Sequence, residues 1–237
     1  MISLAALVFA ASPPGLPTVV PSVMPASTQR ALAAGTYRLE VKVVATTHVP
    51  FLGAQQSITT TLSHAVVDDS GAVTATACDM TTTAPGFSTR LPPTSIRSMP
   101  PARFTFVPTD AGTWQGDMGV GRLGYRGNGA LPQDADDPRV RDDDGDGEPG
   151  LRVELRGPLG THVIQVVAQG HTVLVAQLDD DGATGRLQIR SQERVLSGLP
   201  LSPSEPSRID AQRSRFRLSR VDAANCAELA APAVARR

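Results

Sequence analysis

From Gly35 onward the apolar residues recur with a period of two rather than 3.6, and this alternation narrows the possible folds more than any other feature of the chain. Tyr37, Leu39, Val41 and Val43 alternate with Arg38, Glu40 and Lys42, the pattern of a strand with one buried and one wetted face. Ile58, Leu62, His64 and Val66 repeat the spacing among serines and threonines and are expected to point inward. Asp68-Asp69-Ser70-Gly71 reads as a turn into a second hairpin arm at 72–80, and the proline-rich stretch 85–101 reads as loop. Shorter strands follow at 103–107 and 113–123. Leu151, Val153 and Leu155 then alternate with Arg152, Glu154 and Arg156. Segments 162–168 and 171–178 are apolar on both faces, which predicts central strands, and Gln169-Gly170 between them reads as a two-residue turn. Asp179 to Gly182 makes a further turn before Leu187 and Ile189, 196–207 is a Pro-punctuated crossover, and Phe216 and Leu218 mark the last strand. About nine or ten strands with no amphipathic helix predict an all-β domain over 35–229, either an antiparallel β-barrel or a β-sandwich.

The segment before this domain differs in kind. Met1 to Ala11 is almost uninterruptedly apolar, the length of a signal-peptide core and about half of a membrane-spanning helix. Pro13, Pro14, Pro17, Pro21 and Pro25 follow, each lacking an amide N–H, so 1–34 is expected to be a signal peptide and Pro-rich linker, and 230–237 a disordered tail. The formal net charge of -1 with 19% charged residues excludes a nucleic-acid electrostatic footprint. One Trp, two Tyr and six Phe are too few for the two aromatic girdles of a membrane barrel. No membrane span is expected. The two cysteines, Cys78 and Cys226, fit one disulfide in an oxidising compartment, so the product is expected to be secreted or periplasmic.

The chemistry is concentrated between Asp134 and Glu148. Eight carboxylates (Asp134, Asp136, Asp137, Asp142, Asp143, Asp144, Asp146 and Glu148) face only Arg139 and Arg141, a density that repels itself unless a cation or water screens it. Within it, Asp142-x-Asp144-x-Asp146-Gly147 lets a curled loop aim alternate carboxylates at one centre. Hard oxygen donors without His or Cys favour Ca²⁺ over Zn²⁺ or copper. This spacing resembles the calcium loops of EF-hands, dockerins and thrombospondin type 3 repeats. The resemblance implies Asp142, Asp144 and Asp146 as side-chain ligands and Glu148 as a ligand through its carbonyl. It covers about nine residues and then departs: Val153 stands where an EF-hand has its bidentate Glu, and Pro149-Gly150 leads into a strand. The whole segment, D-x-D-G-D-G-x-P-G, is similar to segments of exported bacterial proteins. Asp136 and Asp137 are candidates for additional ligands, and a merely solvated acidic turn is the alternative.

Catalytic motifs are scarce. A Ser nucleophile elbow, H-E-x-x-H, a phosphate-cradling Gly loop and C-x-x-C are all missing from the sequence. Four histidines remain: His48 in an expected turn, His64 on an expected inner face, and His162 and His171 at opposite ends of the expected hairpin. Glu40, Glu154 and Glu193 fall on strands beside basic residues, where ion pairing is expected. Gly112-Thr113-Trp114 is similar to the Gly-x-Trp that opens lipocalins, and Gly35-Thr36-Tyr37 more weakly so, which implies a calycin-like barrel. In a closed barrel the set Tyr37, Leu39, Val41, Ile58, Leu62, His64, Ile164, Val166, Val173 and Val175 would either enclose a small apolar ligand or fill the core. The expectation is a non-enzymatic exported β-domain with a structural calcium loop, a binding or structural module for such a ligand or for a cell-surface partner. The alternative is a secreted hydrolase using Asp136, Asp137 or His64.

Overall fold

The computed structural model describes residues 32–49, 53–158, 160–198 and 207–230; the expected leader over 1–31 and the tail beyond Ala230 lie outside them. Among the described residues, eleven strands and two short helices follow in chain order. The strands are β1 (Gly35–Val49), β2 (Gly53–Val67), β3 (Ala72–Ala84), β4 (Phe87–Arg90), β5 (Ala102–Pro108), β6 (Trp114–Leu123), β7 (Leu151–Gly157), β8 (Gly160–Asp179), β9 (Gly182–Ser197), β10 (Arg208–Ile209) and β11 (Arg215–Arg220). The helices are α1 (Pro93–Ser98) and α2 (Cys226–Ala230). The fold is all-β and antiparallel, as the alternation predicts.

The pairings return to their start. β1 pairs with β2, β2 with β3, β8 with β9, β9 with β11 and β11 with β1. Two bridges join β3 to β8. One runs through β5 and β6, using 72–75 of β3 and the second half of β8; the other runs through β4 and β7, using 81–84 of β3 and the first half of β8. A ring of this kind leaves few free edges. Its inner face carries one continuous apolar cluster, from Tyr37, Leu39 and Val41 through Val73, Phe104 and Met118 to Leu151, Leu174 and Phe216. Of the residues expected to line a ligand chamber, Tyr37, Leu39, Val41, Ile164 and Val166 belong to this cluster.

The inward set needs two corrections. In β2 the buried residues are Ser57, Thr59, Thr61, Ser63, Ala65 and Val67, so Ile58, Leu62, His64 and Val66 lie on the outer face. β1 decides this: Ser63 pairs with Leu39 and Thr61 with Val41, and paired residues share a face. Small hydroxyl side chains fit beside the larger aliphatics of β1, which is why the period of β2 is legible but its phase is not. The second correction concerns β8, which runs through Gln169-Gly170 without turning. Gly170 pairs with both Gly121 and Ser191, so each half of β8 already has a partner on either side. A two-residue hairpin would set Val166 and Val173 on one face; an unbroken strand sets them on opposite faces, and Leu174 and Ala176 point inward instead of Val173 and Val175. His162 and His171 are likewise on opposite faces. His48 stands in β1, paired with Ala54, rather than in a turn.

The stretch 85–101 is also not pure loop. Phe87 to Arg90 pairs with β3 and β7, and Pro93 opens α1, a position where its missing N–H goes unneeded. Pro100 and Pro101 forbid its continuation. α1 packs against β3 and β7 and buries Ser95 and Ile96. At β3, Ser63 pairs with Ala77 and Leu62 with Asp79, leaving Cys78 as the extra residue of a bulge. Cys78 is joined to Cys226 at the start of α2, with their Cα atoms 5.2 Å apart.

Candidate metal centre

The 124–150 segment between β6 and β7 folds back over the outer face of β8. Tyr125 and Leu131 bury against Val167, with Val140 and Leu196 beside them, and the Tyr125 hydroxyl donates to Gln169 Oε1 at 2.5 Å. This accounts for Val167: Ile164, Val166 and Ala168 face the core, Val167 lies under the loop on the opposite face, and Val163 on that same face stays exposed. The base is closed by backbone hydrogen bonds, with the Arg141 amide donating to the Gly124 carbonyl and the Gly150 amide to the Arg141 carbonyl, both at 2.9 Å.

On that base the acidic run curls. Asp142 Oδ1 accepts from the amides of Gly145 (2.8 Å) and Asp146 (3.1 Å), and its Oδ2 from Gly147 (2.9 Å). Gly145 and Gly147 take positive φ, +72° and +89°, as so tight a curl requires. Asp144 turns toward the sheet, where its Oδ2 accepts from the Ser95 hydroxyl of α1 (2.5 Å) and the Arg152 amide of β7 (3.0 Å). Asp146 Oδ1 accepts from the Glu148 amide and its Oδ2 from Gln165 Nε2 of β8, both at 2.9 Å. One carboxylate oxygen from each of Asp142, Asp144 and Asp146 lies within 4.8 Å of the others. That spacing lets a single cation reach all three, since Ca²⁺–oxygen distances are about 2.3–2.6 Å. Asp144 Oδ1 is buried with no hydrogen-bond partner, an orphaned acceptor of the kind a cation satisfies.

The other acidic residues have separate duties. Asp143 points to the loop base, accepting from the Gly124 amide at 3.0 Å with Arg126 3.7 Å away. Burial pushes its carboxyl above the ordinary value against those two influences. Asp137 grips Arg139 through both carboxylate oxygens, at 3.0 and 2.7 Å, and also accepts the Arg139 amide. The guanidinium holds its carboxyl down at about 2. Asp136 is exposed, and its amide donates to Asp134. Glu148 is exposed and joins the loop through its amide. His64 stands on the outer face of β2, its Nε2 2.9 Å from the Ala223 carbonyl. Glu40 pairs with Arg38 at 3.1 Å, and Glu154 stands between Arg152 and Arg156 at 4.0 and 3.8 Å, the expected strand-surface ion pairs.

Three contributors escape a reading of the sequence. Ser95 falls in a stretch that reads as loop, so nothing marks it as a partner of Asp144. Arg152 reads as a wet-face residue, yet its amide holds the loop and its guanidinium lies 4.0 Å from Asp146. Gln165 leaves a trace, being the one polar side chain within Val163-Ile164-Gln165-Val166-Val167. One pair is also new: His171 Nε2 lies 2.7 Å from Asp117 Oδ1 on the outer face, brought together by the β6–β8 pairing.

No family model and no curated protein matches this chain. Among solved structures it is similar to DynF from the dynemicin biosynthesis pathway of Micromonospora chersina, at 12% identity over 87% of this chain and 92% of that one, with a TM-score of 0.38. At that score the likeness carries no argument about activity.

Proposed function

We propose that the chain is an exported, non-enzymatic β-domain in which a calcium ion fastens the 124–150 loop to the sheet, and that it serves as a structural or binding module outside the cytoplasm. The observation that carries this reading is the convergence of Asp142, Asp144 and Asp146 within 4.8 Å on a loop already curled by its own amides. An all-oxygen donor set suits a hard cation of variable coordination. The Cys78–Cys226 bond is compatible with an oxidising compartment. Thermal unfolding in rising Ca²⁺ tests the reading. At a hundredfold excess over Kd the linkage is worth about 2.7 kcal/mol, so Tm should climb by about 5–10 °C. An Asp144→Ala variant should show no such rise, and an unchanged wild-type curve at millimolar Ca²⁺ contradicts the proposal.

One observation favours a second reading, hydrolysis. The His171–Asp117 pair borders a cleft of about 570 Å³ lined by Arg122, Gln169, His171, Arg190 and Ser191, where a carboxylate-oriented imidazole can act as a base. Ester hydrolysis that disappears in His171→Ala with Tm unchanged would support it; no turnover in the wild type removes it.

A further inference from the structure

The ring opens where β11 leaves β9. β11 pairs with β9 only from Gly182 to Arg186, and β10 pairs with β1, so among the described residues the edge of β9 beyond Arg186 carries no strand. The cleft of about 570 Å³ lies there, reaching from Val120 and Arg122 of β6 across β8 to Ile209 of β10. The register places its charged groups on one face. Val120, His171 and Arg190 stand side by side, and Arg122 stands one row away beside Gln169. Arg122 and Arg190 are thus two strands and one two-residue step apart, about 12 Å between Cα atoms. Two extended arginine side chains span that distance and can meet one small ligand above β8.

Among the described residues neither guanidinium forms an ion pair. Arg122 Nη2 donates to Asn128 Oδ1, a neutral acceptor, at 3.1 Å, and Arg190 is exposed. Asp117 is already engaged with His171 at 2.7 Å. Beside these cations Val120 is 41% exposed, and Ile189 and Ile209 extend the apolar lining. A guanidinium fork matches the two oxygens of a carboxylate, and the apolar lining gains by being covered with hydrocarbon. The volume falls within the range of about 300–1,000 Å³ that holds small organic ligands. A bare phosphate would use the guanidiniums and leave the apolar lining uncovered.

We propose that this cleft binds a small organic carboxylate, with Arg122 and Arg190 holding the carboxylate and Val120, Ile189 and Ile209 covering its apolar body. The site is separate from the calcium loop and rests on neither reading given above. Binding alone is assigned to it, and no bond is made or broken.

Calorimetric titration of the full chain with octanoate and 2-naphthoate, with the amide of each, and with inorganic phosphate tests this. At least one of the two acids should bind saturably at one site, and its amide and phosphate should bind at least about tenfold more weakly, since one lacks the charge and the other the hydrocarbon. Arg122→Gln and Arg190→Gln, with Tm read alongside, should each weaken binding by at least about tenfold; Arg190 is exposed, so its variant keeps the fold. Arg217→Gln, which removes an exposed charge on β11, should bind like the wild type. Absence of saturable binding of either acid at millimolar concentration overturns the proposal. So does an amide that binds as tightly as its acid, phosphate that binds more tightly than both acids, or equal weakening by Arg217→Gln, which would reduce the attraction to general surface charge.

Discussion

Asp144 is the residue on which the loop depends most, because its carboxylate joins three elements: the loop itself, α1 through Ser95 and β7 through the Arg152 amide. Asp144→Ala leaves the Arg152 amide without its acceptor and the Ser95 hydroxyl with only the Arg152 carbonyl, 3.0 Å away, and in the absence of any metal it should destabilise the fold by about 1–3 kcal/mol in urea unfolding. Asp137 gives a pH-dependent counterpart. Its folded carboxyl titrates at about 2, below the ordinary 3.8, chiefly because Arg139 donates to it. A depressed carboxyl contributes stability above its unfolded value and loses it as pH falls through the folded one. Stability should therefore drop between about pH 4 and pH 2, and less steeply in Asp137→Asn, which urea titrations at the two pH values can read. At this scale the sequence shows Asp142, Asp144 and Asp146 clearly, because their spacing is itself the chemistry. Ser95, Gln165 and Asp117 are hidden, because each acts only through a neighbour that pairing brings from elsewhere in the chain.

Elements are legible in the sequence through period but not always through phase or continuity. The alternation in β1, β7 and β11 marks both the strand and its buried face, since arginine or glutamate opposes each aliphatic residue. In β2 serine and threonine fill the inner positions, so the contrast that fixes phase is weak and the register with β1 decides. In β8 a glycine beside a glutamine resembles a hairpin turn, and only the presence of β6 and β9 on either side keeps the strand straight. The 124–150 loop depends on a different glycine. Gly124 has φ +71°, and a Cβ there would sit 2.5 Å from the Val166 carbonyl oxygen; Gly147 has φ +89° with open space around it. Gly147→Ala meets only the backbone penalty of about 1–2 kcal/mol. Gly124→Ala adds a clash with β8 and should cost about 3 kcal/mol or more. Hydrogen exchange should show the difference as loss of protection over the loop in Gly124→Ala alone.

For the whole molecule, the ring of pairings and the Cys78–Cys226 bond make a scaffold on whose outer face the loop is laid. The disulfide links the bulge of β3 to α2 across a sequence separation of 148 and holds the chain's last described helix to the second and third strands. In the chain-entropy account such a crosslink is worth about 5 kcal/mol, so a Cys78→Ser, Cys226→Ser variant should unfold at markedly lower urea. The denatured, unreduced wild type should offer no thiol to labelling reagents. On the proposed calcium reading, α1, β7 and β8 supply the floor through Ser95, the Arg152 amide and Gln165, and a cation bound above them would fasten the loop to the sheet. Diffraction from crystals grown with millimolar Ca²⁺ tests this most directly. Anomalous density enclosed by the carboxylates of Asp142, Asp144 and Asp146 is the predicted result, and carboxylates surrounded by water alone at that concentration would contradict it.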